Sequence, residues 1–133
     1  MTIDRSDRDR SAEEVPPATG WLVRNDQVLA SVEVARGRVG RARGLLGRDH
    51  LEGAMYIEGC RSVHSFAMGF ELDVAFLDKD MEVIRTLRLR RGRVTLPVLQ
   101  ARSVLEAEAG AFGRWDLKVG DVLEIRRAAS SDD

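Results

Sequence analysis

The sequence predicts a mainly β fold with an α+β tendency, a compact β-sandwich or barrel-like domain of about seven or eight short strands with one or two short helices. Three observations predict it. The chain has 133 residues and 44% hydrophobic content, enough for one core and one domain. Its apolar residues fall in short runs broken by Gly, Asp and Pro. One stretch alone, Gly37 to His50, carries the three-to-four spacing of a helical face.

Residues 1 to 19 are polar and charged and include Pro16-Pro17, so they read as a disordered arm, with structure beginning near Trp21. From Val28 the set Val28, Ala30, Val32 and Val34 alternates with Leu29, Ser31, Glu33 and Ala35, the period of a strand with one strongly apolar face. Val39, Ala42, Leu45 and Leu46 share one side of a helical turn, and Gly40, Gly44 and Gly47 keep that helix short. Ala54 to Glu58 and Ser62 to Phe66 are strand candidates. Leu72 to Leu77 and Met81 to Leu89 flank Asp78-Lys79-Asp80 as a hairpin, and Val83 followed by Ile84 calls for a bulge. Pro97 discourages a central strand after Arg93 to Leu96. Val104 to Ala107 and Val122 to Ile125 complete the set, separated by Gly110, Gly113 and the Val119-Gly120-Asp121 turn. Residues 20 to 127 form the single β-rich domain, and 128 to 133 read as a frayed tail.

Charge excludes little. The net charge is −1, but the first nineteen residues hold five acids and three bases and the last six hold two acids, so residues 20 to 127 carry about +3. That is too mild to require nucleic acid. Nineteen of the 21 basic residues are Arg, consistent with a GC-rich codon usage. The single cysteine, Cys60, rules out an intramolecular disulfide and suits a reducing compartment. Neither a secretory signal nor an apolar run long enough to span a bilayer occurs, so the expectation is a cytoplasmic protein with no membrane partner.

Short motifs in a fixed order add a family. Gly44-Leu45-Leu46-Gly47-Arg48, Gly53-Ala54-Met55-Tyr56, Phe66-Ala67-Met68 and Leu72-Asp73-Val74-Ala75-Phe76-Leu77-Asp78 are followed by Val104-Leu105-Glu106 with Gly110, then Gly120-Asp121. This order resembles the domain of unknown function 192 family over about residues 28 to 126. Leu46 stands where the family's helix segment has Met, and Ala67 where the family often has Trp. The resemblance implies a β-sandwich-like fold with small helices in a small bacterial or archaeal protein, some members being exported, and no established reaction.

Three groups of side chains are candidates for chemistry. Cys60, His64 and Met68 recur every four residues and offer the thiolate, imidazole and thioether that Cu(I) or Zn(II) selects. In a strand, however, that interval spreads them by about 13 Å. Cys60 as a small buried apolar residue, Met68 as core filler and His64 as a hydrogen-bonded partner account for the three better. Asp73 interrupts an apolar strand and needs a partner there, for which Arg48 is available. Together with His64 and Glu106 it would make an acid/base set, Arg48 orienting an anionic ligand. A structural ion pair or a carboxylate capping backbone amides accounts for Asp73 with less machinery. Finally, arginines cluster at Arg36, Arg38, Arg41, Arg43 and Arg48 and again at Arg85, Arg88, Arg90, Arg91 and Arg93, without the interleaved aromatics that stack on bases.

No P-loop, dinucleotide-binding glycine motif, Gly-x-Ser-x-Gly elbow or His-Glu-x-x-His pair is present. The leading expectation is therefore a non-enzymatic binding or accessory module whose ligand-binding residues are drawn from Arg48, His64, Met68, Asp73 and Glu106. Cofactors are not expected, a metal on Cys60, His64 and Met68 being the minority reading. The alternatives are a small hydrolase or metal-binding protein using Cys60 to Asp73, and a weak binder of anionic polymers through the arginines. The partner on the leading reading is an unidentified protein or small ligand.

Overall fold

A computed structural model describes residues 18–36, 50–65 and 69–128. Among the described residues, seven strands, β1 (Ala18–Arg24), β2 (Gln27–Arg36), β3 (Ala54–Glu58), β4 (Leu72–Leu77), β5 (Val83–Leu89), β6 (Ser103–Glu108) and β7 (Glu124–Arg127), lie with one short helix, α1 (Ala111–Trp115). They form one sheet in the order β5-β4-β6-β3-β2-β1-β7. All pairs are antiparallel except β2 with β3, which run parallel. The mainly β expectation holds, realised as one continuous ladder that does not close into a barrel. The sheet nevertheless curls. Val83 N donates to Asp121 O at 2.8 Å, Gly120 N to Val83 O at 2.8 Å and Leu123 N to Met81 O at 2.9 Å, and Glu82 bridges Val122. These bonds tie the β5 side to the segment entering β7.

Two apolar clusters cover the two faces. Leu22, Val32, Ala54, Ala75, Leu77, Leu105 and Ala107 line the concave face and pack against Phe112, Leu117 and Leu123. Met55, Ile57, Leu72, Val74, Phe76 and Val104 form the other with Leu51, Cys60, Val63 and Ala101. Every residue of β4 is buried because the strand sits between β5 and β6 with both faces covered.

Bulges set which apolar residues reach these clusters. Leu22 pairs with Ala30 but Val23 with Val28, so Leu29 is the extra residue; it packs on the concave cluster while Val28 is left exposed. The single apolar face expected over Val28 to Val34 is thus interrupted near its start. At the hairpin Phe76 pairs with Arg85 and Leu77 with Val83, which places the expected bulge at Ile84. The connection is longer than three residues. Asp78 Oδ1 accepts from Asp80 N at 2.9 Å and Glu82 N at 3.0 Å, and Met81 turns with φ 65° before β5 begins.

Other differences have equally local causes. β1 begins at Ala18, paired to Val34, and Ala128 N donates to Thr19 O at 2.9 Å, so strand pairing extends to residues placed in the arm and tail. Residues 1–17 and 129–133, and the helical face at 37–49, lie outside the described residues. Of the strand expected at Ser62 to Phe66, residues 62 to 65 form an isolated bridge between His64 and Val94 and a few backbone bonds to the facing loop rather than a full strand. Here side chains replace ladder partners: Thr95 Oγ1 accepts from Val63 N at 3.0 Å, and the Ser65 hydroxyl donates to Arg90 O and accepts from Arg93 N at 3.0 Å. Helix α1 is unannounced in the sequence because it is five residues long and contains Gly113.

Candidate functional site

Asp73 is buried in β4 and its carboxylate is fully engaged. Oδ2 accepts from Gly110 N at 2.9 Å and Phe112 N at 3.0 Å, and Oδ1 accepts from Arg88 Nε at 3.2 Å. The expected partner Arg48 lies outside the described residues, and the observed one is Arg88. The reason is register: Asp73 and Arg88 are directly opposed in the β4·β5 pair. Arg24 holds the other end of α1, donating from Nη2 to Trp115 O at 2.8 Å and from Nη1 to Asp116 O at 3.0 Å, with Asp121 at 2.9 Å. Carboxylate and guanidinium together fasten α1 over the concave cluster. A shallow cleft of about 380 Å³, lined by Asp73, Thr86, Arg88, Phe112 and Leu117 among others, opens beside the clamp.

The sheet does not bring the acid/base set together. Asp73 opposes Ala107 and Val74 opposes Glu106. Neighbours along a strand project to opposite faces, so Asp73 lies on the concave face and Glu106 on the other. Glu106 is fully buried there, its strand neighbours being Met55 of β3 and Val74 of β4. Neither His64 nor Glu106 is among the partners of Asp73. His64 is exposed, on the loop that faces Val94.

For the sulfur set, Cys60 is buried and its thiol donates to Ser62 O at 3.0 Å. Met68 lies outside the described residues. Among the described residues no three of His, Cys, Asp and Glu gather as a metal set. Cys60 instead contributes to a cleft of about 400 Å³ lined by Gly59, Cys60, Arg61, Ser62, Pro97, Ala101 and Arg102. Arg61 Nε donates to Ala101 O at 3.1 Å across it.

Sequence reasoning missed the surface next to this cleft. Residues Arg90 to Arg102 form a loop whose inward residues are Thr95 and Val98 and whose exposed ones include Val94 (61%), Leu96 (83%) and Leu99 (80%). Its base is held by Ser65 N to Arg93 O at 2.8 Å, Thr95 N to Val63 O at 2.9 Å and Val98 N to Arg61 O at 3.0 Å. The available signal was the alternation Val94, Leu96 around Thr95, followed by Pro97, an apolar run that no strand absorbs.

Tyr56, half-buried at the edge of the concave cluster, donates to Met81 Sδ at 3.2 Å. Burial pushes its phenol above the ordinary value of 10.0; the Ser103 hydroxyl opposes this, the Glu58 charge adds to it and Arg127 opposes it. It is the single tyrosine, so phenolate absorbance reports it alone. The titration midpoint of the folded protein is expected above that of the urea-unfolded chain. Because the folded state holds the proton more tightly, this contribution to stability is intact below pH 10.0 and is lost as pH rises through the folded midpoint. Coincident folded and unfolded titrations would contradict it.

These features define a small single-sheet β protein in which Asp73, the one Asp of β4, serves as a structural clamp. The chain belongs to the DUF192 family, "Uncharacterized ACR, COG1430", whose model matches residues 21–125. It is 30% identical over 98 residues to a UPF0127 protein of Pyrococcus abyssi (strain GE5 / Orsay), covering 70% of this chain and 84% of the relative. A UPF0127 protein of Thermococcus gammatolerans is 32% identical over 98 residues, covering 69% of this chain and 64% of the relative. Two crystal structures share the fold. A Sinorhizobium meliloti 1021 protein, provisionally described as a transcription regulator, superposes with TM-score 0.69 and 21% identity over 84% of this chain and 97% of its own. A Novosphingobium aromaticivorans DSM 12444 protein of unknown function gives TM-score 0.63 and 22% identity over 86% and 96%. No helix among the described residues is long and apolar enough to cross a membrane.

Proposed function

We propose that this protein is a non-enzymatic binding or accessory module of the cytoplasm that engages a partner protein with its Arg90 to Arg102 loop. The observation that carries this reading is the exposure of Val94, Leu96 and Leu99 on a loop held at its base by backbone hydrogen bonds to Arg61, Val63 and Ser65. Apolar side chains on an ordered loop stay in water at a cost that a bound partner removes, at about 25 cal/mol per Å² of apolar area covered. The loop is also preorganised, so little ordering entropy opposes docking. An active-site reading has less support, because the buried carboxylates of Asp73 and Glu106 face opposite sides of the sheet and Asp73 is saturated by α1 and Arg88. The single cysteine is consistent with a reducing compartment.

Selection of displayed peptides on the purified protein tests the reading. Peptides are expected to be enriched on the native chain and lost on a Leu96→Asp, Leu99→Asp variant whose unfolding midpoint is unchanged. Peptides that bind both proteins equally, or no enrichment, would refute it.

A further inference from the structure

Between Val83 and Arg102 the sequence holds six arginines and no acid. Only Arg88 of these six forms an ion pair with a described acid, Asp73. Elsewhere arginines do find acids: Arg24 pairs with Asp121, Arg36 and Arg127 with Glu58, and Arg126 with Asp26 and Glu124. Arg85, Arg90, Arg91, Arg93 and Arg102 are exposed and form no ion pair with a described acid, and four of them, Arg90, Arg91, Arg93 and Arg102, belong to the loop that also exposes Leu96 and Leu99. Beside that ridge lies the cleft of about 400 Å³, with Cys60, Pro97 and Ala101 among its apolar walls and Arg61 and Arg102 also lining it.

We infer that the partner presents an acidic segment carrying large apolar side chains, its carboxylates meeting the arginines and one apolar side chain entering the Cys60–Arg102 cleft. This rests on the loop being a protein-binding surface, as proposed above. Arginine forks recognise carboxylates bidentately, and a uniform positive surface steers acidic partners and rejects basic ones. Nucleic acid fits less well, since residues 83 to 102 contain no aromatic side chain on which a base would stack. A bilayer would meet the ridge but has no use for a concave cleft, and the stretch lacks the Trp and Phe common in interfacial segments.

The test is fluorescence anisotropy with two short labelled peptides, one alternating Asp and Glu with Leu and Phe, the other carrying Asn and Gln in place of the acids. The acidic peptide is expected to bind at least about tenfold more tightly and to weaken as salt is raised. An Arg91→Glu, Arg102→Glu variant is expected to lose about tenfold or more in affinity for it, with its circular dichroism and unfolding midpoint retained. Equal binding of the two peptides would overturn the acidic partner while leaving the binding surface standing. Failure of both peptides, with no peptide enriched by selection, would overturn both. Phosphatidylserine vesicles or a mixed-sequence oligonucleotide binding more tightly than the acidic peptide would also overturn the inference, in favour of a lipid or nucleic-acid surface.

Discussion

Asp73→Ala is expected to destabilise the protein by about 3 kcal/mol, read as a lower urea midpoint at unchanged slope. The substitution strands two amide donors, Gly110 N and Phe112 N, and the latter bond is buried. Each unsatisfied buried donor costs about 1–3 kcal/mol. The ion pair adds little, because the Arg88 side chain is 54% exposed and solvent screens it. Asp73→Asn keeps an oxygen that can accept from both amides and is expected to cost about half as much. Arg88→Ala is expected to lie within about 1 kcal/mol of the native chain. The ordering of these three variants separates an amide clamp from a salt bridge. Arg88→Ala proving the most damaging would overturn the clamp. The consequence extends beyond β4, since releasing α1 uncovers Ala111, Phe112 and Leu117 from the concave cluster.

Phe76→Ala carries an expected loss of about 3–5 kcal/mol, the range for removing a large aromatic ring from a tight core. Phe76 is completely buried in β4, opposite Val104 of β6, in the cluster that also contains Val74, Leu89 and Ala101. Both flanking strands are fixed by ladders, so the space left by the ring cannot collapse fully. Val28→Ala makes an internal comparison. It removes an apolar residue that strand periodicity assigns to the core but that the Leu29 bulge leaves in solvent, and it is expected to change stability by less than about 0.5 kcal/mol. A Val28 effect comparable to that of Phe76 would mean that the bulge is misassigned.

Much of the strand layout was legible because it is local. Ala54–Glu58 and Leu72–Leu77 appear with the bounds their apolar runs suggest, and the Ile84 bulge follows from two adjacent β-branched residues breaking one alternation. The clamp was half legible. A carboxylate in an apolar strand demanded partners, but counting back through the expected three-residue turn and the bulge leads to Thr86; the longer connection, which pairs Leu77 with Val83, moves the register on to Arg88. That α1 would supply two amides could not be read, since a five-residue helix with a central glycine has no periodic signature.

The candidate site shows the same division more sharply. Composition and spacing nominated His64, Asp73 and Glu106 by residue type, which says nothing about side of sheet. Only the β4·β6 register, with Val74 opposite Glu106, decides that the two carboxylates point apart. The sequence by itself determined the mainly β class, the family and the run of arginines without acids after Val83, because these depend on composition and on periods within one segment. Tertiary structure alone decided which acid clamps α1, which leucines remain in water and where the cleft beside them lies. Those outcomes depend on contacts between segments distant along the chain, and such contacts leave no period in either segment.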